Sequence, residues 1–155
     1  RWTHLPQVVL GLAFGWGIPM AFAAETGKVA AAAWLILLIN VIWSVIYDTL
    51  YAMVDREDDI SIGLKSTAIL FGRHDLLILR ILKVSMIVLL VLLGVKLQFD
   101  WPWFVGVAFA ACLFTWQQFI ISDRDRDACF KAFLNNNWVG AGIWIGLLAN
   151  YALDY

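Results

Sequence analysis

The stretch AAAAWLILLINVIWSVIYDTLYAMVDREDD, from Ala30 to Asp59, decides the fold. Its first part, Ala30–Val54, is predominantly apolar and exceeds the roughly 20 residues that a helix needs to cross the hydrocarbon core of a bilayer. Its last part, Asp55–Asp59, contains four acidic residues and one basic residue, and therefore belongs in water. An apolar run that ends abruptly in charges predicts a transmembrane helix that reaches the membrane surface at Asp55.

The composition of the whole chain supports this interpretation. Of its 155 residues, 63% are hydrophobic and 15% are charged, whereas soluble domains are roughly 45–50% apolar and about 25% charged. A soluble fold of this size cannot hide so much apolar surface, so the surplus is expected to face lipid. The net charge of −1 argues against nucleic-acid binding through a positive field. Cys112 and Cys129 match no metal-ligand spacing and are expected to pack as small apolar residues.

Charged or turn residues divide the chain into five predicted membrane spans, and we see no soluble domain. We therefore expect an all-α, polytopic transmembrane helical bundle in which residues 1–155 form a single domain, with Pro19 kinking the first span. The predicted spans are Leu5–Ala24, Ala30–Val54, Leu76–Val95, Pro102–Ser122 and Ala132–Leu153.

The distribution of positive charge predicts the orientation of these spans. Of the 11 Lys and Arg residues, only Lys28 and Lys96 fall on one side of the alternating topology. The others belong to the opposite side, which the positive-inside rule makes cytoplasmic. The two large charged loops, 55–75 and 123–131, are therefore predicted to share the cytoplasmic face.

The most informative residues form a ladder on one helix face. At 3.6 residues per turn, Asp48, Tyr51, Asp55 and Asp59 lie within one stripe that leaves the span and continues into the loop. A charged Asp48 inside the span is costly, and neighbouring carboxylates repel one another. The alternative is a solvated acidic loop with one snorkelling aspartate, which does not explain why Asp48 and Asp55 are in register.

A hard divalent cation accounts for this arrangement, and Mg²⁺ is the predicted metal because it prefers oxygen ligands and keeps positions for water or phosphate. Lys65, in the sequence Gly63-Leu64-Lys65-Ser66-Thr67, is a candidate phosphate-binding charge. The pattern does not fit an EF-hand or a zinc site. A P-loop is also excluded, because its first glycine and preceding strand are missing.

Three stretches of the chain resemble the UbiA superfamily of intramembrane prenyltransferases, and within it the group that prenylates 4-hydroxybenzoate. These stretches are Arg1–Gln7, the segment YDTLYAMVDREDDISIGLKSTAILFG from Tyr47 to Gly72, and Ala128–Lys131 with Asn135–Asn137. The middle stretch is long and specific, and the resemblance extends along the whole chain.

The resemblance implies a nine-helix fold with two aspartate-rich motifs that bind a diphosphate through Mg²⁺, of which this chain is similar to the C-terminal half. It assigns Asp55 and Asp59 to the second motif as metal ligands, places Asp48 and Tyr51 at its upstream catalytic positions, and puts Arg1 near the diphosphate or the carboxylate of the aromatic acceptor. Lys65 is predicted to bind the diphosphate together with Arg1. The first motif is absent from these residues. An N-terminal half that carries it is therefore an expected partner, in a longer protein or as a separate chain.

The function implied is Mg²⁺-dependent transfer of a polyprenyl group from polyprenyl diphosphate to the ring of 4-hydroxybenzoate in ubiquinone biosynthesis, at the cell inner membrane. One alternative is another branch of the superfamily, acting in menaquinone, haem or chlorophyll synthesis. A second alternative is a cation transporter or channel lined by the acidic stripe. A lipid-headgroup phosphotransferase is disfavoured because its Asp-Gly-x-x-Ala-Arg signature is absent.

Overall fold

The computed structural model describes Thr3 and residues 5–153, which form helices joined by short connections. No strand occurs within these described residues, so the predicted all-α membrane bundle is confirmed. Arg1, a predicted diphosphate ligand, lies outside them. The helices are α1 (Pro6–Gly15), α2 (Gly17–Thr26), α3 (Ala31–Val54), α4 (Arg56–Ser61), α5 (Thr67–Phe71), a 3₁₀ turn (Gly72–His74), α6 (Asp75–Leu97), α7 (Trp101–Ile120) and α8 (Arg126–Leu153).

The first span is broken into α1 and α2 at Trp16. Pro19 explains the break, because proline has no N–H to donate to the carbonyl of residue i−4, which here is Gly15. The interruption thus falls one turn before the proline, as expected for a proline kink. The span ends at Gly27, which adopts the left-handed conformation with φ of 71° that favours glycine.

Helix α3 is the central element of the bundle, since it packs against α1, α6 and α8. Its inner face is mostly apolar, and Ile46 and Leu50 are fully buried. Helix α7 packs against α6 and α8, on the side of these two helices that faces away from α3. The residue that ends α3, Asp55, is therefore held at the end of the best-packed helix.

In the part of the chain that the structure describes, four helical segments are long and apolar enough to cross a membrane: Pro6–Thr26, Ala31–Val54, Thr67–Leu97 and Trp101–Ile120. Helix α8 is also long, at 28 residues, but Asn135–Asn137 make it less apolar. Its role as a fifth span stays a prediction. These asparagines join helices, since Gln117 donates to Asn135 Oδ1 at 2.9 Å and Trp43 donates to Asn136 Oδ1 at 3.3 Å.

The segment 55–75, expected as a loop, is largely helical. Helices α4 and α5 and the 3₁₀ turn occupy most of it. The charged residues of this segment therefore have fixed positions along short helices, which makes the surface at this end of the bundle more ordered than the sequence pattern indicated.

Helices α7 and α8 approach one another at glycines. A Cβ atom on Gly106 would lie 2.7 Å from the Gly142 carbonyl oxygen and 3.1 Å from Gly146 Cα. There is thus no room for a side chain at this crossing. Small residues in membrane proteins allow two helix backbones to approach closely, and the resulting van der Waals contact stabilises the pair.

Replacement of Gly106 by alanine is expected to destabilise the bundle, because the added methyl group meets backbone that has no room to move. Gly17→Ala is the matched control, since nothing lies within 4 Å of a Cβ at Gly17. We expect Gly106→Ala to be less stable than Gly17→Ala by about 1–3 kcal/mol, the usual cost of overpacking. Unfolding of the detergent-solubilised protein by SDS measures the difference, and equal stabilities would contradict the close crossing.

Candidate active site

The two acidic residues Asp55 and Asp59 lie one helical turn apart at the end of α3. Asp55 has φ of −95° and ψ of 6°, and it lies between the end of α3 and the start of α4. The N–H of Asp59 donates to the carbonyl of Asp55 at 2.8 Å, so the two residues bracket the first turn of α4. Both side chains are half-buried. The structure therefore brings these two predicted ligands together.

The upper part of the predicted ladder has different neighbours. Asp48 lies beside the buried Gln7 of α1. Tyr51 packs its ring against Phe133 of α8, with 5.2 Å between the ring centroids, and is 42% exposed. Within the described residues, no group of three or more His, Cys, Asp or Glu side chains is arranged to hold a metal ion. The ladder thus consists of one carboxylate pair, with Asp48 and Tyr51 set apart.

The electrostatics of the pair favour a cation. Partial burial raises the pKa of Asp59, and the charges of Asp55 and Asp58 raise it further, while a hydrogen bond with Ser66 acts in the opposite direction. Among the described residues, the guanidinium that pairs with Asp55 is that of Arg126, at 4.0 Å, and it makes its shorter contact, 2.9 Å, with Asp58. The described part of the chain therefore neutralises the pair only weakly.

The segment that follows is fastened back onto α3. The Thr49 and Thr67 hydroxyls, both fully buried, are hydrogen-bonded at 2.6 Å. The N–H of Leu64 donates to the carbonyl of Asp59 at 2.9 Å, and Ser66 caps α5. Lys65 lies between these anchors and is exposed. Among the described residues it forms no ion pair, so its ammonium is available to an anion.

A buried ion cluster stabilises the same end of the bundle. Asp75, at the start of α6, is fully buried and binds both Arg56 and Arg124, the latter at 2.8 Å and 3.1 Å. Asp75 raises the pKa of the Arg124 guanidinium through this hydrogen bonding. Arg124 also donates to the Arg73 carbonyl at 3.2 Å and adopts a left-handed φ of 57°, a conformation uncommon for residues other than glycine.

Sequence reasoning missed this cluster. The sequence pattern placed residues 123–131 in a charged loop and indicated no partners for Arg124 and Arg126, whereas both make ion pairs with the 55–75 segment. The available signal was Asp75 itself, an acid placed directly before a long apolar run. The ion pairs show that the two charged segments meet at one end of the bundle.

The donor chemistry of Asp55 and Asp59 fits magnesium. Both offer hard carboxylate oxygens from one helix face, and Mg²⁺ is bound by one or two carboxylates together with water and substrate phosphate. Two protein ligands are fewer than a closed metal site needs, so substrate or further protein ligands would complete the coordination.

A second feature is an apolar cavity in the opposite half of the bundle, between α2, α3, α6, α7 and α8. Its volume is about 580 Å³. Its walls are largely aromatic and aliphatic, and include Phe22, Trp43, Leu90, Trp103 and Trp144. The cavity is suited to a hydrocarbon chain.

The described residues thus form an all-helical membrane bundle with a half-buried aspartate pair at one end. The chain belongs to the UbiA prenyltransferase family, which matches residues 1–144.

Individual relatives are enzymes of one kind. The chain is 57% identical over 151 residues to a 4-hydroxybenzoate octaprenyltransferase of Enterobacter sp. (strain 638). It is 55% identical to the protein of the same name from Citrobacter koseri and 53% identical to that from Escherichia fergusonii. Each match covers 97% of this chain and 52% of the relative, so the chain spans about half the length of these proteins. No solved structure shows a significant match.

Removal of the Asp75 charge is expected to destabilise the bundle, because Asp75→Asn leaves two guanidinium groups without their carboxylate. Breaking a buried ion pair costs about 3–5 kcal/mol, and the partial exposure of both arginines reduces this to about 2 kcal/mol. The matched control is Asp58→Asn, whose pair with Arg126 is exposed and worth less than about 1 kcal/mol. Unfolding in SDS compares the stabilities of the two variants. Similar losses of stability would show that the buried Asp75 cluster stabilises the bundle no more than the exposed Asp58 pair does.

Proposed function

We propose that this chain is the C-terminal half of an enzyme that transfers a polyprenyl group from polyprenyl diphosphate to the aromatic ring of 4-hydroxybenzoate, in ubiquinone biosynthesis. The observation that carries the proposal is the Asp55–Asp59 pair at the end of α3, in a chain of the UbiA prenyltransferase family. The names of the relatives support the two substrates. An N-terminal half that carries the first aspartate-rich motif is the expected partner.

The proposed metal ligands are Asp55 and Asp59. Bound Mg²⁺ would supply positive charge that stabilises the diphosphate leaving group. Lys65 follows the aspartate pair in the sequence, is exposed, and lies between the hydrogen-bonded residues Leu64 and Ser66. We propose that its ammonium binds the diphosphate. Arg1, which lies outside the described residues, is also proposed to bind the diphosphate.

The reaction breaks the bond between the allylic carbon and the diphosphate oxygen, and both electrons leave with the diphosphate. The electron-rich ring carbon ortho to the phenol of 4-hydroxybenzoate attacks the resulting allylic cation and forms a carbon–carbon bond. Loss of the proton from that ring carbon restores aromaticity. Fixed positive charge from Lys65 stabilises the leaving group as its charge develops.

The apolar cavity supports the assignment of a long hydrocarbon substrate. Of its aromatic walls, Trp43 lies on α3, which has the aspartate pair at its other end, and Trp103 lies on α7. A prenyl chain in this half of the bundle would keep its diphosphate at the surface. Asp48 and Tyr51, between the two regions on α3, are proposed to orient the aromatic acceptor.

The proposed location is the cell inner membrane, with the 55–75 and 123–131 segments on the cytoplasmic side. The ion pairs between these segments support a common face, and the excess of Lys and Arg there favours the cytoplasm.

Neutralising either member of the aspartate pair is expected to abolish most of the activity. In the full-length protein, we expect Asp55→Asn and Asp59→Asn each to lower kcat/KM for prenylation of 4-hydroxybenzoate by about 100-fold or more, which corresponds to roughly 2.7 kcal/mol of lost transition-state stabilisation. The measurement is product formation in membranes at a series of Mg²⁺ concentrations.

The matched control for these variants is Glu57→Gln, which removes a charge from the exposed face of the same helix. It is expected to keep near wild-type activity. Magnesium-dependent prenylation that survives both aspartate changes would contradict the proposed function.

Removal of the Lys65 charge is expected to weaken substrate binding. Lys65→Met should raise the KM for polyprenyl diphosphate about tenfold, the size of one charge-assisted contact, with a smaller change in the KM for 4-hydroxybenzoate. Lys28→Met, which removes an exposed charge from the predicted opposite face, is the control. An unchanged KM in the Lys65 variant would remove this residue from the diphosphate site.

A further inference from the structure

A groove on the outside of the bundle lies between α6 and α7 and has no part in the function proposed above. Its volume is about 560 Å³. We call it the α6–α7 groove and define it by Arg80, Lys83, Val84, Val88, Phe114 and Phe119. Asp55 and Asp59 lie on α3 and α4 and do not line it, so it is distinct from the aspartate pair.

The most unusual residue of the groove is Lys83, which lies within the predicted span and is only 4% exposed. Its ammonium contacts Gln118 Oε1 at 3.4 Å and the ring of Phe114 at 5.8 Å from the centroid. The Gln118 amide is itself fixed, because its Nε2 donates to the Leu76 carbonyl at 3.0 Å. Gln118 therefore holds Lys83 in the groove through a single long hydrogen bond.

No carboxylate lines the groove, and within the described residues neither Lys83 nor Arg80 belongs to any ion pair. The nearby buried acid, Asp75, already binds two arginines. An ammonium has three donors, and a buried cation that lacks an opposite charge is costly in an apolar environment. The groove thus contains two basic side chains, Arg80 and Lys83, and its lining has no acidic side chain that would neutralise them.

Polarity changes along the groove in the direction of the membrane normal. Arg80 and Ser122 lie at the end near the charged segments, because Arg80 follows the start of α6 and Ser122 follows the end of α7. Farther along α6 and α7, the lining becomes apolar with Ile87, Val88 and Ala111. A ligand that fits has an anionic group at the membrane surface and a hydrocarbon chain below it.

We propose that the α6–α7 groove binds an anionic phospholipid of the surrounding bilayer, with its phosphodiester at Arg80 and Lys83 and one acyl chain along Val84 and Val88. Arg80 supplies an exposed guanidinium that reaches the headgroup, and Lys83 supplies the buried charge below it. The exposed valines, at 58% and 50%, give the acyl chain a surface to cover.

The test uses the full-length protein, purified and reconstituted in nanodiscs that contain equal amounts of phosphatidylglycerol and phosphatidylcholine. After transfer to detergent, native mass spectrometry counts the retained lipids of each class. The wild type is expected to retain phosphatidylglycerol in preference to phosphatidylcholine. Lys83→Met and Arg80→Met should each lower the retained phosphatidylglycerol about tenfold, through loss of one charge-assisted contact.

The matched control is Lys96→Met, which removes the same charge from the exposed opposite end of α6 and should leave lipid retention unchanged. A parallel sample with inorganic phosphate in place of phosphatidylglycerol should show no bound anion. Lipid counting does not depend on prenyl transfer, so its result is independent of the proposed function.

Equal retention of phosphatidylglycerol by the wild type and the Lys83 variant would overturn the proposal. Retention without preference between the two lipids, as an apolar groove alone would give, would also overturn it. The proposal would also be overturned if the wild type retained no lipid, as expected if another part of the full-length protein covers the groove.

Discussion

The carboxylate of Asp75 is the interaction on which the charged end of the bundle depends. It is fully buried at the start of α6, and it binds an arginine from the α3–α4 junction and another from the connection between α7 and α8. One buried acid thereby joins the ends of five helices, α3, α4, α6, α7 and α8. Because Arg56 directly follows Asp55, the same contact limits where the aspartate pair can lie. Breaking a buried ion pair is costly, so these ends are held in one arrangement.

Much of the fold was predictable because lipid imposes a simple rule. Backbone groups inside a bilayer must be satisfied within the segment, so a long apolar run is a helix. Helices α3, α6 and α7 accordingly lie close to the runs seen in the sequence. The break at Trp16 was predictable only in part, since Pro19 identifies a kink but its effect falls at the residues before it. The helical content of 55–75 was not apparent, because short helices α4 and α5 depend on contacts such as Thr49 with Thr67 rather than on a periodic pattern.

The candidate site was predictable where it depends on helical spacing and not where it depends on tertiary contacts. Asp55 and Asp59 are four residues apart, and helical geometry alone places them on one face. Asp48 is in register with them, yet its neighbour Gln7 comes from α1, which no spacing rule could indicate. The partners of Arg124 and the burial of Lys83 likewise result from how distant helices pack. The predicted metal and the assignments of Arg1 and Lys65 stay predictions.

The hydroxyl contact between Thr49 and Thr67 has a consequence for substrate range. It ties the segment around Lys65 to the membrane helix that also forms one wall of the apolar cavity. In the proposed enzyme, the headgroup end is rigid and the cavity for the tail lies at a distance from it. Substrates with different numbers of isoprene units would then present the same reactive carbon at the same place. The walls of the cavity would then select the length of the prenyl chain, and the reaction at the diphosphate end would be the same for every length.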